Sequence, residues 1–396
     1  MISPVPSAEL KDRMDRFRSR MDMDNPDWEF SAIFGNVNLY YLTGTMQDSV
    51  LLIPRDGDAT LWVRRSYERA KNESEFPDIR KMESYREPAL ALSKIPEQIH
   101  IETAVVPLAI LQRFQKYFPS GRISSLDMQV GKVRAEKSDY ELERMKKAGI
   151  IHRKVLEDMI PSMLREGMSE AEFSRDIYSC MIDEGHHGII RFGMFNTEIL
   201  VGQVGFGESS IYPTSFDGPG GCYGMCPAVP TLGSRERKLR KGDLVFVDNG
   251  CGVEGYQTDK TQTYVFEGTL SNAVYDIHEQ CVDIQNAMAD MLRPGVAPSE
   301  IYTTIMQGDS VQIPENFMGY ESRRASFLGH GTGLLVDEIP VIARGFDEPL
   351  QEGMTIALEP KAGVKGVGMV GIENTFLVTR SGGVSITGSD PGLMKV

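Results

Sequence analysis

Short apolar runs typical of strands alternate with runs typical of helices along the first third of the chain. SVLLIPRDGDATLWV places two apolar runs around Asp56 and Gly57, which is typical of a β-hairpin. IHIETAVVP is typical of a strand, and LAILQRFQKYFPSG of a helix that ends at proline and glycine. This alternation predicts a small α/β domain, for which we expect the range 1–137.

The pattern changes near residue 138, where longer helical periods begin. Ser138 with Glu141, and Ser169 with Glu172, have the Ser-x-x-Glu spacing of a capped helix start, and the second helix is predicted to end at Gly185. Further helices are predicted within SNAVYDIHEQCVDIQNAMADMLRPG and after it, and the remainder reads as glycine-rich hairpins. Helices and antiparallel strands segregated within 138–396 predict an α+β domain rather than a doubly wound parallel sheet.

Two aspartates interrupt β-forming sequence in LVFVDNGCGVEGYQTDKTQTYVFEG. If the runs around Asp248 and Asp259 pair as antiparallel neighbours, the two carboxylates are expected to face each other at about 5 Å. Two carboxylates so close repel each other, which raises the pKa of at least one of them. A bound cation would remove this conflict.

The C-terminal region repeats the arrangement. MTIALEP ends a predicted strand at Glu359, GMVGIENTFLVT places Glu373 early in the next, and FLGHGTGLLVDEIP holds His330 between Gly329 and Gly331. Four carboxylates and a neutral imidazole carry a charge of −4, which two divalent cations would cancel. Such donors suit Mn²⁺, Co²⁺, Fe²⁺ or Zn²⁺, and two ions about 3.5–4 Å apart can share a bridging hydroxide. Taken singly, these residues are more typical of turn, cap and loop positions; only the joint pattern shifts the interpretation toward a metal site.

Composition narrows the classes of partner and compartment. The 396 residues carry a net charge of −14 and a pI near 5.0, so nucleic acid and anionic membranes are not expected as partners. The odd number of cysteines, spread along the chain, predicts reduced thiols in a cytoplasmic protein. No export signal and no apolar run of about 18 residues is evident.

The candidate ligands lie in motifs that occur in a fixed order: VDNG, GYQTDKT, GHGTG, ALEP and GIEN. In these motifs, and in the 11-residue spacing from Asp248 to Asp259, the chain resembles the M24 metallopeptidase family, which has the pita-bread fold. That family includes methionine aminopeptidases, aminopeptidase P, prolidase and the metal-free creatinases. NVNLYYLTG and VRAEKSDYELERM resemble the creatinase and prolidase subgroup. The resemblance implies a creatinase-type N-terminal α/β domain, a pita-bread catalytic domain and a homodimer.

The resemblance also implies residue roles. Asp248, Asp259, His330, Glu359 and Glu373 would bind two divalent metal ions, with Mn²⁺ as the expected ion, and Asp259 and Glu373 would bridge them. Glu359 would act as general base. The implied activity is that of an exopeptidase of the Xaa-Pro aminopeptidase or dipeptidase type, in which a metal-bridging hydroxide hydrolyses the peptide bond of a small peptide.

Several positions depart from the family pattern. Asp337 stands seven residues after His330, where prolidase-like enzymes carry a histidine. Ser326 replaces a histidine of aminopeptidase P, Gly371 replaces a common arginine, and GFGESSIYPTSFDGPGG lacks the histidine usual in its region. Beside two dications Asp337 is expected to stay ionised and to accept a hydrogen bond from a substrate ammonium or a leaving group. The alternative is that it caps a turn beside Glu338.

Five further residues have two interpretations each. His186 and His187 either replace the missing histidines or end a helix, where an imidazole suits the helix dipole. Arg191, Arg323 and Arg324 are either a clamp for a substrate carboxylate or ordinary surface residues.

The departures leave two further classes of function open beside the peptidase. One is an enzyme of the same fold that acts on a non-peptide small molecule, as a lyase or C–N hydrolase on a zwitterion. The other is a binding module without turnover. The expected ligand is thus a small peptide or another small molecule.

Overall fold

The computed structural model describes residues 4–396 and divides into two compact units, Met1–Arg134 and Ala135–Val396. The boundary predicted after residue 137 lies a few residues further along the chain and stays a prediction.

The first unit is an α/β domain built on one six-stranded sheet with the strand order β4-β3-β2-β1-β5-β6. Apolar side chains of the central strands and of the helix after β5, such as Phe114, form its core. Its strands are β1 Phe30–Ile33, β2 Ser49–Pro54, β3 Thr60–Val63, β4 Ile79–Lys81, β5 Gln98–Ile101 and β6 Arg122–Ser125. Its helices are α1 Ser7–Asp24, α2 Asn36–Thr43, α3 Tyr67–Glu73, α4 Arg86–Ala91, α5 Leu108–Gln115 and, reaching the boundary, α6 Asp127–Ala135. The predicted β2–β3 hairpin, the strand β5 and the helix α5 are confirmed.

The second unit segregates its helices from its sheets. The helices are α7 Asp139–Arg153, continued by a π-helical turn at Lys154–Met159, α8 Ile160–Met163, α9 Glu170–Asp183, α10 Asn272–Met291 and α11 Pro298–Gln307, and a 3₁₀ turn covers Gly207–Ile211. The strands are β7 Gly202–Phe206, β8 Leu244–Val253, β9 Tyr256–Val265, β10 Gly319–Tyr320, β11 Arg323–Arg324, β12 Gly329–Gly331, β13 Glu338–Val341, β14 Thr355–Leu358, β15 Lys361–Val364, β16 Gly368–Gly371, β17 Asn374–Thr379, β18 Gly382–Ser385 and β19 Met394–Lys395. The predicted α+β class is confirmed.

The strands of the second unit form two main sheets and two short ladders. One sheet has the order β19-β9-β8-β7, the other β13-β12-β14-β17-β18, and β15–β16 and β10–β11 are separate pairs. All pairings are antiparallel except β19 with β9. The backbones of Thr261 in β9 and Glu373 just before β17 form a bridge between the two sheets. The predicted metal ligands therefore come from strands that meet where the sheets join.

Local helix signals behave as the sequence indicates. The Ser138 side chain accepts from the Glu141 backbone N–H (3.3 Å), and the Glu141 carboxylate accepts from the Ser138 N–H (3.0 Å). Ser169 and Glu172 form the same reciprocal cap at the start of α9. This helix ends at Asp183, and Gly185 follows with φ +110°, a conformation that favours glycine. Both predicted capping boxes are confirmed. They could be predicted from the sequence because each depends only on two residues that are three positions apart.

The β8–β9 hairpin is confirmed, but its predicted register is wrong. Asp248 lies opposite Thr261, and Asp259 lies opposite Gly250, so the two aspartates are diagonal neighbours on one face and not directly opposed. β8 continues past Asp248 to Val253, and the chain turns only at Glu254 and Gly255, whose φ values are +49° and +97°. Two positive φ values in a two-residue loop match the twist of the strands and fix this register.

Glu359 and Glu373 lie between two ladders that share one register. Leu358 pairs with Asn374 in β14–β17, and Lys361 pairs with Gly371 in β15–β16. Continuing either register places Glu359 opposite Glu373. The sheet thus presents this pair of carboxylates side by side, as the sequence predicts.

All five cysteine thiols, Cys180, Cys222, Cys226, Cys251 and Cys281, are free. Within residues 4–396, no helix has both the length and the apolar content that crossing a membrane requires.

Candidate metal centre

One cavity of the second unit collects the predicted ligands. Its wall includes Asp248, Asp259, His330, Glu359 and Glu373. Four of these residues are buried, and the Asp259 side chain is 14% exposed. Residues separated by more than one hundred positions in sequence therefore share one small, largely water-excluded space.

His330 is held in a fixed orientation by close-packed backbone. A Cβ on Gly329 would lie 2.3 Å from the Ala357 carbonyl oxygen, and one on Gly331 would lie 2.5 Å from the Ile339 carbonyl oxygen, so only glycine fits on either side. The His330 Nδ1 donates to the Gly331 carbonyl oxygen (3.1 Å). Since a carbonyl can only accept, Nδ1 carries a proton, and Nε2 is the ring nitrogen left to face a ligand.

The Nε2 atom of His330 faces three carboxylate oxygens. Glu359 Oε1 lies at 3.5 Å, Glu373 Oε1 at 3.8 Å and Asp259 Oδ2 at 3.9 Å. Ligand atoms from Asp259, His330 and Glu373 all lie within 4.8 Å of one another, a spacing that suits a metal ion. Glu373 Oε1 is buried and has no hydrogen-bond partner. Such an atom needs a partner, because an unsatisfied buried acceptor costs about 1–3 kcal/mol.

A lysine that the sequence analysis missed lies on the other side of the cluster. The fully buried Lys361 Nζ lies 2.7 Å from Glu373 Oε2 and 3.1 Å from both Asp248 Oδ2 and Glu359 Oε2. A signal for it was present: side chains two apart in extended backbone share a face, and Lys361 is two residues after Glu359. Lys361 is thus part of the charged cluster.

Burial and mutual repulsion set the protonation of the carboxylates. Burial raises the pKa of Asp248 and of Asp259, the second well above its usual range. Burial also raises the pKa of Glu359 to about 8, against the attraction of Lys361. Glu373 differs: burial favours its neutral form, but Lys361 and His330 outweigh burial and lower its pKa. Without an ion, the cluster therefore retains protons that a divalent cation would displace.

Asp337 lies in the wall of the same cavity. Burial raises the pKa of its carboxyl, and His330 opposes this shift. The turn that Asp337 was alternatively expected to cap is instead held by Glu338, whose carboxylate accepts from the Leu335 N–H (2.8 Å). The position of Asp337 favours a role toward a bound molecule.

His186 and His187 do not line the cavity and do not replace the missing histidines. The Gly252 N–H donates to His186 Nδ1 (2.9 Å), and the Gly255 N–H donates to His187 Nδ1 (3.0 Å). Burial lowers the pKa of both, that of His187 to about 4. They follow the end of α9, where the His186 N–H donates to the Met181 carbonyl (2.8 Å), as the helix-terminus interpretation expects, and their neutral rings accept from the tip of the β8–β9 hairpin.

The three arginines do not form a clamp in the cavity wall. Arg323 donates to the backbone carbonyls of Thr214, Gly218 and Gly220, and so fixes the segment that carries Asp217 and Gly218 into the wall. Arg324 donates to the Glu321 carbonyl and to Asn316. Within residues 4–396, Arg191 is also absent from the wall.

The remaining wall is aromatic and acidic. Phe192, Phe216 and Phe327 line the cavity together with Asp217, and the rings of Phe192 and Phe216 are 5.2 Å apart. In the part of the chain that the structure describes, no lysine or arginine is among these wall residues. Sequence analysis missed them because they come from loops whose folding no short pattern reports.

The fold and the clustered ligands define a two-domain protein of the metallopeptidase type. Residues 143–380 match the model of metallopeptidase family M24, and residues 13–135 match the creatinase/prolidase N-terminal domain. The chain belongs to metallopeptidase family M24, as predicted.

Several curated and solved proteins are similar over three quarters of the chain or more. An Xaa-Pro dipeptidase of Pyrococcus furiosus is 27% identical over 97% of this chain and 100% of its own length. A putative dipeptidase of Bacillus subtilis, YkvY, is 29% identical over 75% of this chain and 73% of its own. Among solved structures, dipeptidase PepE of Mycobacterium ulcerans superposes with a TM-score of 0.80 at 24% identity, covering 100% of both chains. The prolidase of Pyrococcus horikoshii has a TM-score of 0.76 at 24% identity and covers 96% of this chain and 99% of its own. The predicted fold and the peptidase class are confirmed.

Membership in this family implies divalent metal cofactors, and the two sides of the cluster fit them differently. On the His330 side, Asp259, His330 and Glu373 present converging donors, one of which is a buried oxygen without a partner. On the other side, the Asp248 and Glu373 oxygens already face the Lys361 ammonium. The donors therefore fit one divalent ion well, while a second ion would compete with Lys361.

Proposed function

We propose that the protein is a metal-dependent exopeptidase that hydrolyses the bond before proline in small peptides. The observation that carries this proposal is the joining of Asp259, His330 and Glu373 in one cavity, with Glu373 Oε1 buried and unpartnered. The names of similar proteins, Xaa-Pro dipeptidase and prolidase, support the choice of substrate.

A bound divalent ion would supply polarisation of the scissile carbonyl and activation of a water molecule. Glu359 would move the proton in this scheme. Its carboxylate lies in the wall, and its Oε1 is 3.5 Å from His330 Nε2, on the side of the donors that would hold the ion. A general base of this kind takes a proton from the attacking water and returns it to the leaving nitrogen.

Asp337 and Asp217 would bind the ammonium group of the substrate. Both line the cavity, and they are close enough that the Asp217 charge contributes to the raised pKa of Asp337. The rings of Phe192, Phe216 and Phe327 would contact the proline ring and exclude water. With no lysine or arginine among the described wall residues, the substrate carboxylate has no cationic partner there, which favours peptides longer than two residues.

The test is hydrolysis by the purified full-length chain loaded with Mn²⁺. Xaa-Pro dipeptides and Xaa-Pro-Xaa tripeptides are compared, with faster cleavage of the tripeptides expected. Glu359→Gln is expected to lose about 10²–10⁴ in kcat while keeping its fold, because the amide cannot take up the proton but its oxygen can still accept from Lys361. Glu352→Gln is the matched control, since Glu352 precedes β14, as Glu359 follows it, and forms an exposed ion pair with Arg380 (2.9 Å). An ion-loaded protein that cleaves no proline peptide would refute the proposal.

A second candidate is a C–N hydrolase or lyase that acts on a small cationic or zwitterionic molecule. The observation that favours it is the same acidic and aromatic wall, in which Asp217 and Asp337 add to the ligand carboxylates. Carboxylates and aromatic faces attract cations. Inactivity on every proline peptide, together with cleavage of small cationic amides, would favour this candidate. A binding module without turnover would be indicated by a purified protein that retains no metal ion.

Two further parts of the proposal, the ion and the assembly, rest on the family resemblance and the donor set. Mn²⁺ is the first ion to test because three carboxylates and one imidazole are a mainly oxygen donor set. A homodimer in the cytoplasm is the proposed state, and light scattering of the purified chain tests the dimer. The two-ion form of the mechanism, with a hydroxide shared between the ions, needs both sides of the cluster to bind cations.

A further inference from the structure

We propose that the Lys361 ammonium takes the place of one of the two metal ions, so that the cluster binds a single divalent ion on its His330 side. This inference rests on the metal dependence of the proposed function. It assigns Lys361 as a positioning residue that sets the number of ions.

The carboxylate oxygens are divided between two cationic sites. Asp248 Oδ2, Glu359 Oε2 and Glu373 Oε2 face Lys361 Nζ at 2.7–3.1 Å. The other oxygens of the two glutamates, both named Oε1, face His330 Nε2 at 3.5–3.8 Å. Glu359 and Glu373 thus each turn one oxygen to Lys361 and one to His330.

Lys361 is fully satisfied where it lies. An ammonium has three N–H donors, and three carboxylates surround this one. Its side chain is 0% exposed, and the Phe246 ring centroid lies 5.9 Å from Nζ. A lysine that left this position would leave three buried carboxylates without their cation, which is costly.

A second divalent ion would have to share the Asp248 side with this ammonium. It would need oxygen lone pairs that already accept from Lys361, and the two positive charges would repel each other at short range. The atom that still lacks a partner, Glu373 Oε1, is on the opposite side, next to His330. The buried oxygen that a cation would satisfy therefore lies on the His330 side.

A competing explanation concerns Gly371, which replaces the arginine common in the family. Lys361 lies directly opposite Gly371 in the β15–β16 ladder. On this explanation Lys361 only supplies the positive charge of the missing arginine, and two ions still bind. The two explanations differ in the number of ions that the wild-type protein holds.

The experiment compares the wild-type chain with Lys361→Ala. Both proteins are stripped with a chelator, loaded with excess Mn²⁺, desalted and analysed for metal and protein content, and binding is followed by calorimetric titration. We expect one ion per chain in the wild type and two in Lys361→Ala. Anomalous scattering from Mn²⁺-soaked wild-type crystals is expected to give one peak, beside His330.

Lys260→Ala is the matched control. Lys260 is also fully buried and follows Asp259 in β9, but its Nζ contacts Asn374 and Glu157. This variant is expected to keep one ion per chain. Should Lys361→Ala fail to fold, the wild-type stoichiometry and the anomalous peak still decide, because the competing explanation requires two ions there.

Three results would overturn the inference: two ions in the wild type, one ion in both proteins, or a wild-type ion beside Asp248 instead of His330. A wild type that binds no ion would overturn both this inference and the proposed metal dependence. One ion beside His330 in a protein inert toward proline peptides would support this inference while refuting the proposed substrate.

Discussion

Two buried lysines of the second unit have opposite surroundings. Lys260 Nζ donates to Asn374 Oδ1 (2.7 Å) and meets one carboxylate, Glu157 (3.2 Å), and burial lowers its pKa. Lys361 meets three carboxylates; burial acts in the same direction, but their attraction prevails and its pKa lies well above the usual value. The two lysines are equally buried, yet their pKa values shift in opposite directions. The number of carboxylates near each ammonium decides the direction.

The difference follows from strand alternation. Lys260 follows Asp259, and its partner Asn374 follows Glu373, so this pair lies on the opposite face from the two carboxylates. The strand β9 and the chain at the start of β17 therefore carry the ligand carboxylates on one face and the Lys260–Asn374 hydrogen bond on the other. The first face is charged and suits ions, whereas the second joins the strands without them.

The largest expected effect is that of replacing Lys361, whose contribution to stability should depend on whether a metal ion is present. In chelator, Lys361→Ala should lower the free energy of unfolding by about 3–5 kcal/mol, because buried carboxylates lose their cation. Excess Mn²⁺ should restore much of this loss. Urea unfolding with and without Mn²⁺ measures both quantities. A loss in chelator below about 1 kcal/mol would mean that Lys361 is a weak partner of the cluster.

A smaller effect is expected for Lys260→Met, which keeps most of the side-chain volume. The loss should be about 1–3 kcal/mol, since Asn374 Oδ1 keeps its bond from Thr387 Oγ1 (3.1 Å) while Glu157 loses a cation. Urea unfolding should give the same loss with chelator and with Mn²⁺. If Mn²⁺ restored the lost free energy of unfolding, Lys260 would also act through the ion, and the proposed difference between the two faces would be wrong.

A half-buried neutral histidine sharpens the comparison through pH. Burial lowers the pKa of His187 from 6.5 to about 4, so between these values the unfolded chain binds more protons than the folded one. Stability is therefore full above pH 6.5 and is lost as pH falls toward 4, by up to about 1.4 kcal/mol per pH unit. His187→Gln should flatten this dependence in thermal melts at fixed Mn²⁺. An unchanged slope would assign the dependence to other groups.

The smallest effect is expected far from both lysines. Ser169→Ala removes the side-chain cap of α9 and should cost about 1 kcal/mol in urea unfolding, equally with and without Mn²⁺. The hydrogen bonds from Ser169 also lower the pKa of Glu172 to about 2, so NMR titration should show that pKa rising in the variant. A Glu172 pKa that stays near 2 would mean that the backbone N–H of residue 169, which the variant keeps, causes the shift.

The sequence predicts what depends on neighbours and misses what depends on distant pairing. The capping boxes of Ser138 and Ser169 need only residues three apart. The register of Asp248 required knowing that β8 continues through Gly250 and Gly252 to a turn at Glu254–Gly255. The contacts of Lys361 with Asp248 join strands 113 positions apart, and no local pattern encodes that distance.

The site residues show the same division. Asp248, Asp259, His330, Glu359 and Glu373 were found because each lies in a short motif with a fixed order along the chain. Phe216 and Asp217 were not found. They lie on a loop whose backbone carbonyls accept hydrogen bonds from Arg323, and no short sequence pattern predicts that contact. Their roles and those of the five ligands remain predictions until ions and substrates are tested.

The close fit at Gly371 limits how this protein can be redesigned. A Cβ there would lie 2.4 Å from the Pro360 carbonyl oxygen and 2.5 Å from the Lys361 Cα, and φ is +120°, so no side chain is tolerated without moving the backbone. An engineer who wished to rebuild the arginine of related enzymes could not graft it at that position alone. Residue 361, and not residue 371, is therefore the position at which a redesign of the ion content of this cluster can start.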